Sequence, residues 1–279
     1  MYIDRVATWI VVLVVLAGTL VYAVEPLVLY DDFNAGQLAQ DKWVRGEEGA
    51  GTEPSVQIQD NRLRLFNRIY GKTDSDHGKD EGSLFLAFSN SAAVTTIKAT
   101  VQVNDVRVYG CPSNPLRSEA VAFLGGSFFN TATPTPGSDV HDVWAAIGLV
   151  RNSDMRFSPD ILIAISLVGH CTTATNETCK DSTWLHSRGL GPIKRGEKVT
   201  FRVQWDRDNH RFIFQRDGDL EVFAPYTLSD TAPPGRSRKG LRIGYEATNC
   251  LATLRPVAFI EAVFDDVLVN AAAARAAGQ

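Results

Sequence analysis

The chain has no surplus of positive charge. Its 28 Lys and Arg stand against 32 Asp and Glu, a formal charge of −4, so no basic field draws it to nucleic acid. Its five histidines are scattered, and no two sit at metal-ligand spacing. None of its four cysteines lies in a Cys-x-x-Cys pair. An even, dispersed set of this kind fits two disulfides in an oxidising compartment better than a zinc site. There is no nucleophile elbow, no P-loop and no Rossmann glycine fingerprint. No internal repeat of fixed period is visible, no amphipathic helix is written inside the body of the chain, and no linker-like stretch divides it.

One long uncharged run is present. Val6 to Val24 holds 19 residues without charge, behind a thin positive start in which Asp4 offsets Arg5. Val21-Tyr22-Ala23 supplies a small-residue cleavage site, which reads as a signal peptide covering residues 1–23. The same run is just long enough for an uncleaved membrane anchor. Either way the remainder is placed outside the cytoplasm, either secreted or in the periplasm and cell envelope.

The body of the chain alternates. In Val199–Phe223, Val199, Phe201, Val203 and Trp205 alternate with Thr200, Arg202 and Gln204, the period of a half-buried strand. A polar cluster at Asp206–Asn209 turns the chain. Phe212 and Phe214 then face one way, and Asp217-Gly218 signals a tight hairpin. Asp60-Asn61 is a second hairpin signal, between Ser55–Gln59 and Arg62–Phe66. Thr95, Ile97, Ala99, Val101 and Val103 form another inward-facing set. Gly125-Gly126 inside Ala120–Phe129 implies a bend or bulge. Val143–Val150 and Ile161–Val168 are apolar on both faces, as for central covered strands, whereas His170–Ile193 reads as long and irregular. Roughly a dozen strand candidates with turn punctuation argue an all-β sandwich or barrel. One domain is expected over residues 24–270, followed by an Ala-rich tail, residues 271–279.

Three stretches carry a resemblance. They are Tyr30-Asp31-Asp32-Phe33-Asn34 followed by Asp41-Lys42-Trp43, the central Val199–Gly218 meander, and the closing Phe264-Asp265-Asp266-Val267-Leu268-Val269. Together they resemble the concanavalin A-like lectin/glucanase superfamily, and more narrowly exported bacterial proteins of that kind. The resemblance implies a jelly-roll sandwich of two antiparallel sheets that binds or cleaves glycans on its concave sheet. The catalytic members that resemble laminarinases carry Glu-x-Asp-x-Glu on one strand, where alternate residues share a face and stack into the cleft. That motif is absent. The nearest acidic strand, Glu261 to Asp266, has Val263 where the middle acid would stand. A non-catalytic carbohydrate or cell-envelope binding domain is therefore the leading expectation. A polysaccharide-active enzyme using acids among Glu119, Asp142, Glu246 and Glu261 is the alternative, and a cell-surface scaffold the third.

Four groups of residues are candidates for chemistry. Asp74, Asp76 and Asp80 place hard oxygen ligands within one acidic loop, which suits Ca²⁺ or is simply solvated. No other cofactor is implied. Among the cysteines, a local Cys171–Cys179 pair leaves Cys111 and Cys250 for each other. That long bridge would stabilise on the order of 4 kcal/mol through loop entropy. Trp184, in the irregular stretch, offers a ring for stacking on the apolar face of a sugar, with Trp43 and Tyr226 as weaker counterparts. Trp144 and Trp205 fit strand periodicity and belong to the core. Last, Lys98, Thr100, Gln102, Arg202, Gln204, Arg211, Gln215, Arg242 and Glu246 make a polar sheet face, either a glycan groove or a solvated exterior. Asn176-Glu177-Thr178 matches an N-glycosylation acceptor.

Overall fold

Alternating apolar residues bury one face of each strand, and two such faces closed on each other make the core of this protein. The computed structural model describes residues 26–49, 51–175, 177–251 and 255–276. The signal or anchor run and Asn176 of the glycosylation acceptor lie outside them. No helix among the described residues is long and apolar enough to cross a membrane.

Fifteen strands are present among the described residues. They are β1 (Leu27–Asp31), β2 (Trp43–Gly49), β3 (Ser55–Gln59), β4 (Arg62–Tyr70) and β5 (Lys79–Phe88). Next come β6 (Thr96–Tyr109), β7 (Glu119–Asn130), β8 (Asp142–Asn152), β9 (Ile161–Thr175) and β10 (Thr178–Lys194). The last are β11 (Lys198–Asp206), β12 (Arg211–Arg216), β13 (Val222–Pro225), β14 (Gly240–Thr248) and β15 (Val257–Asn270), before the short helix α1 (Ala271–Ala276). They form two antiparallel sheets. One has eight strands in the order β13-β12-β11-β6-β15-β4-β3, with β1 added alongside β15. The other has seven, in the order β10-β9-β8-β7-β14-β5-β2.

Turn chemistry sets the registers. Asp60 and Asn61 both hold positive φ, 51° and 57°, the left-handed pair that a two-residue hairpin between β3 and β4 requires. Asp217 and Gly218 also hold positive φ, 48° and 82°, but they turn the chain within a five-residue connection, 217–221, between β12 and β13 rather than a two-residue hairpin. The Gly125-Gly126 pair sits at φ 148° and 145°, and the β7–β8 register shifts just beyond it, between Ser127 and Phe129.

The core lies between the sheets. Leu63, Ile97, Val101, Phe201, Phe212 and Phe214 of the eight-stranded sheet meet Leu84, Leu124, Ile147, Leu149, Ile243 and Tyr245 of the seven-stranded sheet. Trp43 and Tyr226, read from the sequence as ring platforms, are buried here instead. The Trp43 Nε1–H donates to Asp31 Oδ2 at 2.7 Å, and the Tyr226 hydroxyl donates to Asp230 Oδ2 at 2.7 Å. Trp43 follows the polar Gln40-Asp41-Lys42 and Tyr226 follows Pro225 at the end of β13, so neither stood in an alternating run. Trp205 is partly buried against the core, its ring stacked on Phe129 at 5.5 Å. Lys239 is also fully buried, 1% exposed. Its Nζ donates to the Ser91 carbonyl at 2.9 Å and lies 5.0 Å from the Phe128 ring. Burial pushes this amine down to about 7.

Two disulfides join Cys111 to Cys250, across a separation of 139 residues, and Cys171 to Cys179, across 8. These are the pairings the spacing favoured.

His170–Ile193 is not irregular. It is the end of β9 and nearly all of the 17-residue strand β10. Four register shifts interrupt the β9–β10 ladder. Each shift inserts or drops a residue against its partner and so erases the period of two that marks a strand in sequence.

Candidate functional site

The polar residues grouped from the sequence fall on both sheets. Lys98, Thr100, Gln102, Arg202, Gln204, Arg211 and Gln215 lie on the outer face of the eight-stranded sheet, in register across β6, β11 and β12. Arg242 and Glu246 lie on β14, in the opposite sheet. The first set is largely occupied with itself. Arg202 pairs with Glu221. Arg211 pairs with Asp206 at 2.7 Å and covers the Phe223 ring at 4.5 Å. Gln215 donates to the Asp219 carbonyl at 2.9 Å, and Gln102 accepts from Arg62 at 3.2 Å. A depression of about 280 Å³ lies beside Arg202 on this face.

The outer face of the seven-stranded sheet differs in kind. Leu241, Ile243 and Tyr245 point inward and are buried, so Arg242, between them, points out and is exposed. Its cross-strand partners are Phe85 on β5 and Phe123 on β7. Beyond these, Phe85 pairs with Gly46 on β2, and Phe123 with Gly148 on β8. Both rings lean outward from Arg242 onto those glycines. A Cβ built on Gly46 would stand 2.1 Å from Phe85 Cζ. One built on Gly148 would stand 2.6 Å from Phe123 Cδ1. The row therefore reads ring, exposed guanidinium, ring.

A third ring follows the same rule. Trp144 lies over Gly169 of β9, where a Cβ would fall 2.5 Å from its Cε2. Trp144 is thus a half-buried residue of the outer face, not a core residue: Val143, Ala145, Ile147 and Leu149 are the buried set of β8, and Trp144 has the opposite parity. Trp184 stands beside it on β10, 56% exposed. The two rings meet edge to face with centroids 5.3 Å apart.

At the β2–β5 edge, next to Phe85, a cleft of about 420 Å³ is lined by Val44, Arg45, Phe85, Ala87, Ser237 and Arg238. Arg238 covers the Phe85 ring at 5.2 Å and is held by Glu48. The side chains of Arg45 and Arg242 make no hydrogen bond or ion pair among the described residues. The aromatic–glycine pairings were invisible in the sequence, because each joins residues on different strands. The usable signal was the recurrence of single glycines inside apolar strands.

The acids separate into three situations. Asp142 is buried and accepts from Asn130 Nδ2 at 2.7 Å and from the Gly235 and Arg236 amides at 2.8 and 3.1 Å. It holds a loop. Glu261, on the other sheet, binds Arg64 at 2.7 Å, which holds its carboxyl below the usual range. Glu119 and Glu246 are cross-strand partners at one end of β7 and β14. Burial, and then the charge of Glu246, push the Glu119 carboxyl up. Glu246 is bound by Lys79 at 2.5 Å and Glu119 by Arg117 at 3.4 Å.

Asp74, Asp76 and Asp80 do not converge. Asp80 pairs with Lys72 at 3.0 Å, Asp76 accepts from the Leu251 amide at 2.8 Å, and Asp74 is exposed. Among the described residues, the group of three potential ligand atoms within 4.8 Å is Asp76 with Cys111 and Cys250, and those two sulfurs are bonded to each other.

No protein-family model matches the chain, and no curated protein matches it. Solved structures do. One is the CBM2 module of the evolved Dit of Lactobacillus casei BL23 phage J-1, at 10% identity, covering 88% of this chain and 97% of that one, with a TM-score of 0.37. Another is a non-specific endo-β-1,3(4)-glucanase of family GH16, at 10% identity, covering 87% and 93%, with a TM-score of 0.37. A third is peanut lectin, at 13% identity, covering 88% and 99%, with a TM-score of 0.32. The glucanase and the lectin are jelly rolls of the concanavalin A-like kind that the sequence resembles. At these scores the likeness is one of architecture, and the functional reading rests on this chain's own residues.

Proposed function

We propose that this protein is an exported β-sandwich that binds carbohydrate through the outer face of its seven-stranded sheet. The observation that carries the reading is the set of three rings, Phe85, Phe123 and Trp144, each laid across a glycine of the next strand, with Trp184 exposed beside the third. A ring lying along a sheet turns one face outward, and the apolar C–H face of a pyranose stacks on such a surface; at Phe85 the Arg238 guanidinium shares that surface. Strands lie about 4.8 Å apart, so Phe85 and Phe123, on strands separated by β14, are at least about 10 Å apart. Gly148 and Trp144 are four residues apart on β8, about 13 Å. A ligand touching all of these is an extended chain and not a single sugar. Two disulfides support export to an oxidising compartment. Titration of the purified protein against soluble polysaccharides, by calorimetry and by affinity electrophoresis, tests the reading. Saturable binding weakened by Phe123→Ala and Trp184→Ala supports it, and absence of binding to every polysaccharide overturns it.

A second reading has one observation in its favour. Glu119 and Glu246 face each other across neighbouring strands, one carboxyl raised by burial and the other held by a lysine. Two carboxyl groups in unlike surroundings on one face are the kind of pair used to cleave glycosidic bonds. Release of reducing ends from a bound polysaccharide, abolished in Glu119→Gln, would move the protein from binding to hydrolysis. Binding without release leaves it a binding domain.

A further inference from the structure

We infer that the ligand of this face is a polyuronate, a polysaccharide with one carboxylate per sugar ring; the inference rests on the carbohydrate reading above. It starts from Arg242. The guanidinium stands between Phe85 and Phe123 in one cross-strand row, exposed and without an ion pair among the described residues. Arg64, Arg68, Arg195 and Arg211 are paired with Glu261, Glu53, Asp160 and Asp206. Arg156 and Arg188 are exposed without an ion pair among the described residues, and what distinguishes Arg242 is its place between two rings. Arg45 is also exposed and without an ion pair among the described residues, and it lines the cleft that Phe85 walls. Arg45 stands opposite the inward-facing Leu86 on β5, so the free fork on the ring face is that of Arg242, while a second guanidinium, Arg238, covers Phe85 at 5.2 Å.

A guanidinium fork matches a carboxylate bidentately. A sugar ring seated on Phe123 directs a carboxylate on its rim toward Arg242, its cross-strand neighbour. The positive charge is sparse. The acidic row of Glu81, Glu246 and Glu119 crosses the same face four residues further along β14, about 13 Å away, and the whole chain carries a formal charge of −4. A densely sulfated chain would meet net repulsion over that length. A chain with one carboxylate per ring aligns with single arginines set between rings. A neutral glucan would leave the Arg242 fork without a partner.

The test titrates the protein with polygalacturonate, fully methyl-esterified polygalacturonate, a neutral β-glucan and dextran sulfate. Each is run with the unaltered chain and with Arg242→Gln, Arg242→Lys and Arg202→Gln. A hydrogen bond to a charged group is lost in Arg242→Gln, so affinity for polygalacturonate is expected to fall about tenfold or more. Arg242→Lys keeps charge but loses the fork and is expected to fall less. Arg202→Gln, on the opposite sheet, is expected to bind as the unaltered chain does, and methyl esterification is expected to weaken binding to the level of Arg242→Gln. Equal binding of the neutral glucan, or of the esterified chain, with no effect of Arg242→Gln overturns the polyuronate inference and leaves the carbohydrate reading standing. Preference for dextran sulfate overturns it too. Failure to bind any of the four chains overturns both. Arg242 is exposed, so its variants fold, and unchanged thermal unfolding confirms that each loss belongs to the site.

Discussion

Trp144 lies flat against Gly169 and meets Trp184 edge to face, with ring centroids 5.3 Å apart and planes at 78°. The glycine is what sets the position of the ring. Any side chain at residue 169 occupies the space that Trp144 fills.

Gly169→Ala and Gly46→Ala therefore test the platforms by indirect means. The nearest atoms to a new Cβ are ring atoms of Trp144 in the first case and of Phe85 in the second, at 2.5 and 2.1 Å. Neither variant meets the backbone within its nearest contacts, so the rings move and the strands stay. Each variant is expected to lose about 1 kcal/mol of polysaccharide affinity, roughly fivefold, with an altered near-ultraviolet dichroism for Gly169→Ala. Calorimetry and dichroism on the same samples check this. Gly148→Ala is a different matter: its Cβ would stand 2.0 Å from the Ala122 carbonyl oxygen, and that variant is expected to unfold.

Trp184→Ala separates binding from stability. The ring is more than half exposed, so its removal is expected to cost under about 1 kcal/mol of folding free energy while weakening ligand binding about fivefold or more. Denaturant titration alongside binding measures both. A large loss of stability with unaltered binding would place Trp184 among packing residues.

Lys239 makes stability depend on pH. Its amine titrates at about 7 in the folded chain and near 10.4 when unfolded. Between these values the unfolded chain holds a proton that the folded chain lacks, so stability rises as pH rises from about 7 to about 10.4 and is flat in this respect below 7. Lys239→Met keeps the backbone amide that donates to Ser91 Oγ at 2.6 Å and removes the buried amine. Its stability is expected to exceed that of the unaltered chain at pH 7, with the difference shrinking toward pH 10. Urea unfolding across that range checks the sign.

The two disulfides differ in the length of chain they close. By loop entropy, the bridge across 139 residues stabilises about 4–5 kcal/mol and the bridge across 8 residues about 2.5 kcal/mol. Cys111→Ala with Cys250→Ala is expected to lower the unfolding midpoint well below that of Cys171→Ala with Cys179→Ala. Both midpoints are read by scanning calorimetry.

Much of the fold was written locally. Val199–Gly218 states its strands and its inward rings in consecutive residues, and these stand in β11 and β12, with the Asp217-Gly218 turn in the longer connection that follows. The cysteine spacing stated both bridges. The site was written non-locally. Arg242 looked equivalent to Arg202, since both alternate with apolar residues, and only the strand order puts them on opposite sheets. Trp144 looked like core because alternation gives parity but not which side is inward when both sides are apolar. Trp184 was singled out in a stretch whose strand character the bulges of β10 had erased. The aromatic–glycine pairs needed registers between strands that are up to 39 residues apart, such as Phe85 with Gly46, and no periodicity encodes these.

The central claim is that the outer face of the seven-stranded sheet is the ligand face. Hydrogen–deuterium exchange with and without saturating polysaccharide tests it most directly. Slowed exchange in β5, β7, β8 and β14 around Phe85, Phe123, Trp144 and Arg242, with β6, β11 and β12 unchanged, is the expected result. Protection confined to Lys98–Gln102 and Thr200–Gln215 would contradict it and move the site to the other sheet.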